Sequence, residues 1–150
     1  MKPVAYHSTN NKSEVVNFQT ALLNGMASHY GLYMVTRKDV PKLIPQEIKE
    51  MRQMSYSQIS FMVLNPFLGS EIPPQKLEVL LNDAYREDKI PTQVQRITGD
   101  THIMWLTQGP TYSFKDYAAR FFGRALNYFL GERGLKKTVV VATSGDTGGA

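Results

Sequence analysis

The sequence predicts an α/β protein in which a mainly helical first section, residues 1–88, leads into a strand–helix–strand unit over 89–150. Three observations carry that reading. Apolar residues recur at helical spacing before residue 88. A change of rhythm to two short strand-like runs, the second rich in apolar and aromatic residues, begins near residue 90. A continuous β-branched run, "KTVVVAT", then follows a long apolar-striped stretch, as expected of a strand covered on both faces.

Along the chain, Ser13 is a candidate cap for a first helix, because Val15, Phe18, Leu22 and Met26 then share one face, with Gly25 and Gly31 near its end. "GLYMV" reads as a short strand, and Pro41 and Pro45 keep the following backbone out of helix. "QEIKEMRQM" and "SQISFMVLNPFL" read as helices, the second bent or ended by Pro66. After the break at "EIPPQ", Leu77, Leu80, Leu81, Ala84 and Tyr85 form the stripe of a docked helix.

"TQVQRI", "TGD" and "THIMWL" then predict two strands and a tight turn. A helix follows with Phe114, Ala118, Phe121, Phe122, Ala125, Leu126 and Phe129 as its buried stripe, and with Trp105 a further core residue. A parallel pairing of "THIMWL" with "KTVVVAT" would complete a right-handed crossover. The last residues, "ATSGDTGGA", have the character of a loop entering another helix, so the chain is expected to be part of a longer protein.

Composition narrows the function classes. The 150 residues are 42% hydrophobic, enough for a real core, and the net charge of +4 is spread rather than striped, so nucleic acid is not an expected partner. Cysteine is absent, which removes disulfides and thiolate chemistry. No apolar run approaches a membrane span and the first residues lack a signal-peptide core, so no membrane association and a cytoplasmic location are expected. His7, His29 and His102 show no metal-ligand spacing, and no metal is expected. "GERGLKKT" and Gly145, Gly148 and Gly149 match neither nucleotide-binding glycine pattern.

Two loops remain as candidates for chemistry. Lys115 follows the turn in "QGPTYSFKD", and Thr143, Ser144, Gly145, Asp146 and Thr147 lie in "ATSGDTGG". In parallel sheets both loops would open at the carboxyl edge, where ligands bind. A lysine at a helix start has two readings: a solvated charge, or an amine that attacks a carbonyl such as that of pyridoxal phosphate. The glycine- and hydroxyl-rich loop likewise reads as an ordinary connection or as a cradle for a polar or anionic ligand. Asp116 reads either as a charge favoured at a helix start or as a residue that orients Lys115.

Taken together, "GPTYSFKD" and "VVVATSGDTGGA" resemble the threonine synthase family, whose segments run GPT-x-x-FKD and ATSGDTG. "YHSTNN", "GLYMV" and "VPKL" resemble that family's opening motifs more loosely. The resemblance implies a pyridoxal-phosphate enzyme domain of the tryptophan-synthase-β-like class, truncated here, beginning at residue 89 after an N-terminal section over 1–88. It also implies conversion of O-phospho-L-homoserine and water to L-threonine and phosphate, the last step of threonine biosynthesis.

By the same resemblance Lys115 carries the cofactor as a Schiff base and moves protons on the substrate. Lys115, Ser144, Gly145, Asp146 and Thr147 contact the cofactor, and Thr143, Ser144 and Thr147 contact the substrate. The family's loop for the cofactor phosphate would lie beyond residue 150, so these residues alone are expected to be inactive. The sequence departs from the family's acidic-Gly-Gly-Leu-Tyr at His29-Tyr30-Gly31-Leu32-Tyr33, and Gln108 stands where the family has histidine. The alternative implied reading is a threonine-synthase-like phospholyase or a non-catalytic interaction module of the same fold.

Overall fold

A computed structural model describes residues 3–150. The chain is α/β and divides into two compact units, Met1–Val79 and Leu80–Ala150.

The first unit carries a three-stranded antiparallel sheet of order β2-β1-β3, built from β1 (Tyr6–Ser8), β2 (Val15–Val16) and β3 (Tyr33–Val35). Tyr6 faces both Val16 and Val35, and Ser8 faces Tyr33. Helix α1 spans Phe18–Asn24 and is capped by Asn17, whose side chain accepts the Thr20 N–H. The expected Ser13 cap is therefore corrected. Val15 and Val16 are drawn into pairing with β1, so the helix cannot begin until they end, and Ser13 instead bonds the Asn11 side chain.

Two more of α1's initial N–H groups, from Phe18 and Gln19, are satisfied by the Glu71 carboxylate at 2.9 and 2.8 Å. Helices α2 (Pro45–Glu50) and α3 (Tyr56–Leu68) follow. The α3 start is a reciprocal capping box: Gln58 N–H donates to Ser55 Oγ, and Ser55 N–H donates to the Gln58 side chain. Pro66 does not stop α3, which runs two residues further before Gly69 closes it with a bond to Asn65 O. Leu68, Ile72 and Leu77 are almost wholly buried in this unit.

Close to the same carboxylate, burial pushes the Tyr6 hydroxyl up to about 12, with the charge of Glu71 adding to the effect. A raised phenol pKa means that the fold favours the neutral form. That stability is complete below the ordinary tyrosine value near pH 10 and is lost as pH rises through 12. After discounting for the ring's partial exposure, the expected loss is about 1 kcal/mol. Urea unfolding at about pH 9 and about pH 11.5 should show this drop, and Tyr6→Phe should remove that part of it; an equal drop in the variant would assign the effect elsewhere.

The unit boundary falls within α4 (Pro74–Ala84). In the second unit, β4 (Gln93–Thr98) and β5 (Thr101–Trp105) form the expected antiparallel hairpin, turning at Gly99, whose φ of 51° suits glycine. Helix α5 spans Asp116–Glu132. Its buried face is Tyr117, Ala125 and Phe129, so the expected stripe is shifted: Phe114, Ala118 and Phe122 are exposed, as is Trp105, whose indole donates to the Gln95 side chain. Tyr117 takes the place expected of Phe114 because its hydroxyl reaches Pro91 O at 2.8 Å, satisfying the polar end of a buried ring.

The closing strand is the clearest difference from expectation. Residues 138–143 form no ladder, and Val139, Val140 and Val141 are 61%, 87% and 57% exposed. A β-branched run suited to a central strand needs a neighbour on each side, and within the described residues it has none. Among the described residues no helix is long and apolar enough to cross a membrane.

Candidate functional site

Lys115 immediately precedes α5 and is reached through a tight segment starting at Gly109. Tyr112 N–H bonds Gly109 O, Asp116 N–H bonds Ser113 O, and the Ser113 hydroxyl accepts the Lys115 N–H at 3.1 Å. Tyr112 has a φ of 59°, uncommon for a non-glycine residue, and the bonds on either side hold it there. The Lys115 backbone is thus fixed before its side chain is considered.

That side chain is 29% exposed and places Nζ 3.7 Å from the centre of the Phe114 ring and 2.7 Å from the Asp146 carboxylate. The two loops singled out in the sequence are therefore joined within the second unit, although the parallel strand pairing expected to join them does not form. The Asp146 carboxyl is held below its usual range, first by its hydrogen bond from Lys115 and then by one from Ser113.

The loop around Asp146 is organised from inside. Thr143 Oγ1 accepts the N–H groups of Gly145 and Gly148 at 3.0 and 3.1 Å. Gly145 has a φ of 127°, which a side chain would resist, and a Cβ on Gly148 would sit 2.8 Å from Thr143 Oγ1. Two of the glycines thus serve the loop's own shape. Ser144 and Thr147 remain on its exposed surface.

This donor set suits a cofactor that bears a carbonyl and an anionic group: a partly exposed primary amine stands beside a carboxylate, with hydroxyls in the loop next to it. Asp116, which the sequence left between two readings, turns away from solvent. It is 2% exposed and accepts from Thr111 N–H and Thr111 Oγ1 at 2.9 and 2.8 Å. Gln108, at a position where the sequence departs from the family pattern, donates to the Gln93 side chain at 2.9 Å.

The opening motifs meet in the first unit. Thr9 and Leu32 exchange bonds, and the Asn10 side chain donates to His29 O at 2.8 Å. Glu14 accepts from the Ser28 N–H and hydroxyl and from Tyr33 Oη at 2.6 Å, bonds that hold its carboxyl below the usual range, with the Ser28 hydroxyl the largest cause. These bonds support a turn in which His29 and Tyr30 have φ of 53° and 59°. Sequence reading missed Glu14; its signal is that it is the one acidic residue between the two motifs.

Comparison with known proteins bears on the whole chain. Residues 5–85 match the family described as threonine synthase N terminus. The threonine synthase of Pseudomonas aeruginosa is 32% identical over 148 residues, covering 97% of this chain and 31% of that protein. That of Saccharomyces cerevisiae is 36% identical over 166 aligned residues, with the same coverage of 97% and 31%. The Escherichia coli threonine synthase structure superposes with a TM-score of 0.81 at 32% identity, covering 96% of this chain and 32% of that one. The pyridoxal-phosphate-bound threonine synthase structure from Brucella melitensis gives 0.78 at 31% identity, covering 87% and 28%. The chain thus spans about a third of the length of the relatives it matches and corresponds to their N-terminal part. With its first motifs inside the matched region and its fold shared with these structures, the chain belongs to the threonine synthase family.

Proposed function

We propose that these residues supply the amine and one loop of a pyridoxal-phosphate-dependent lyase converting O-phospho-L-homoserine and water to L-threonine and inorganic phosphate. The observation that carries the reading is the 2.7 Å contact between Lys115 Nζ and the Asp146 carboxylate, which sets the FKD amine against the SGDTG loop. Residues 1–88 are read as the N-terminal section and 89–150 as the start of the cofactor domain, with a cytoplasmic location.

In this reading Lys115 holds the cofactor at its carbonyl carbon, and Ser144, Gly145, Asp146 and Thr147 line it. Thr143, Ser144 and Thr147 orient the substrate through their hydroxyls. When bound, the cofactor supplies a sink for the electron pair released at the substrate's α-carbon. Lys115, once its amine is free, takes the proton from Cα and returns protons during the later steps, a task for which an amine on a fixed backbone is suited. The Phe114 ring, facing the Lys115 Nζ itself, limits water on that side. Residues 1–150 alone are expected to bind the cofactor weakly and not to turn over.

The test is to supply O-phospho-L-homoserine and pyridoxal phosphate to the native full-length protein and to follow phosphate and threonine together. Equal release of both is the expected result. Phosphate without threonine would replace this reading with a phospholyase, and neither product would remove the enzymatic assignment.

A further inference from the structure

Asp116 is a charged residue that the proposed chemistry leaves unused, and it is almost wholly buried. Among the described residues it has no ion-pair partner, and its carboxylate is answered by Thr111 N–H and Thr111 Oγ1. A carboxylate buried with only neutral donors is costly unless the arrangement is kept tight. The tightness is visible on its other side. A Cβ added to Gly109 would lie 2.8 Å from Asp116 Cβ and 2.9 Å from Cγ, so only glycine admits this approach.

The clamp closes a ring around Lys115. Asp116 binds back to Thr111, Gly109 O accepts the Tyr112 N–H, and the Ser113 hydroxyl accepts the Lys115 N–H. The lysine side chain itself makes no contact with this carboxylate and goes instead to Asp146. We infer that the Asp116–Thr111 clamp is a positioning device: it fixes the turn from Gly109 to Ser113 so that the Lys115 amine projects to the Asp146 loop at the angle needed to meet a carbonyl. Asp116 acts through Lys115 and touches no reacting atom. The inference rests on the reading of Lys115 given above.

Two readouts in the native full-length protein test it. The first is capture of pyridoxal phosphate by Lys115, trapped with borohydride and located by peptide mass spectrometry. Asp116→Asn and Thr111→Val each break one arm of the clamp and are expected to weaken capture about tenfold, while Thr111→Ser, which keeps both donors, restores it. Arg124→Ala is the stability control, because it breaks the 2.6 Å pair with Asp83 in the same unit without touching the clamp, and its capture should match the parent's.

The second readout needs no cofactor. Acetylation of Lys115, compared with Lys137, should rise about threefold when the clamp is broken, because the weak surface pair with Asp146 no longer holds an oriented amine. Parental capture and acetylation in both clamp variants would overturn the inference, as would an equal loss of capture in Thr111→Ser or Arg124→Ala. If the parent captures no cofactor at Lys115, the functional reading fails. The acetylation arm then decides the inference alone: a rise sustains it and no change overturns it.

Discussion

Replacing Lys115 by alanine in the native full-length protein is expected to lower turnover by at least about a thousandfold and to abolish borohydride trapping of pyridoxal phosphate at this position. The size follows from the proposed reading, in which one amine serves two tasks, holding the cofactor and carrying protons at Cα. Lys115→Arg separates these tasks from the ion pair. A guanidinium keeps a cation facing Asp146, whose carboxylate lies 2.7 Å from the native Nζ, but it neither condenses with a carbonyl nor gives up its proton near neutral pH. Both variants should therefore fail alike. Retention of more than about a tenth of the activity by Lys115→Arg would make the residue a structural cation.

The largest expected effect on stability lies at Phe129. It is 2% exposed on the buried face of α5, with the Tyr128 ring edge-on at 5.2 Å between centroids. Truncating a fully buried phenylalanine removes its transfer free energy and leaves a cavity, so Phe129→Ala should cost about 3–5 kcal/mol. Denaturant unfolding should show a lower midpoint at an unchanged slope. Phe122→Ala on the same helix is the internal comparison: its side chain is exposed in this chain, and its cost should be below about 1 kcal/mol. Equal costs at the two positions would mean that Phe122 is covered in the full-length protein.

The parts of the fold that were legible in the sequence are those written in local spacing. The hairpin β4–β5 follows from two strand-like runs around the "TGD" turn, α3 from the helical segment "SQISFMVLNPFL", and α4 from the Leu77, Leu81 and Ala84 stripe. What escaped is non-local. Val15 and Val16 fit a helix face by spacing but pair with β1, and the α1 start depends on Glu71, more than fifty residues away. The run at 138–143 has strand composition and no strand to pair with. On α5, several positions fit an apolar stripe, and only packing chose Tyr117 over Phe114.

The site divides in the same way. Residue types and motif pairing pointed to Lys115 and the 143–147 loop, and the contact between Lys115 and Asp146 gives those motifs a common place. The same spacing could not decide between the two readings of Asp116. Its carboxylate turns back to Thr111 only because Gly109 lets the chain come close, a relation between three residues that no single motif position displays.

Everything proposed for the site depends on Lys115 being the amine that holds the cofactor. Reducing the full-length protein with borohydride in the presence of pyridoxal phosphate, digesting it and mapping the modified peptide tests it most directly. One pyridoxyl-modified peptide, spanning "GPTYSFKD", with the label on Lys115, is the expected result. A label confined to another lysine, with Lys115 unmodified, would contradict it.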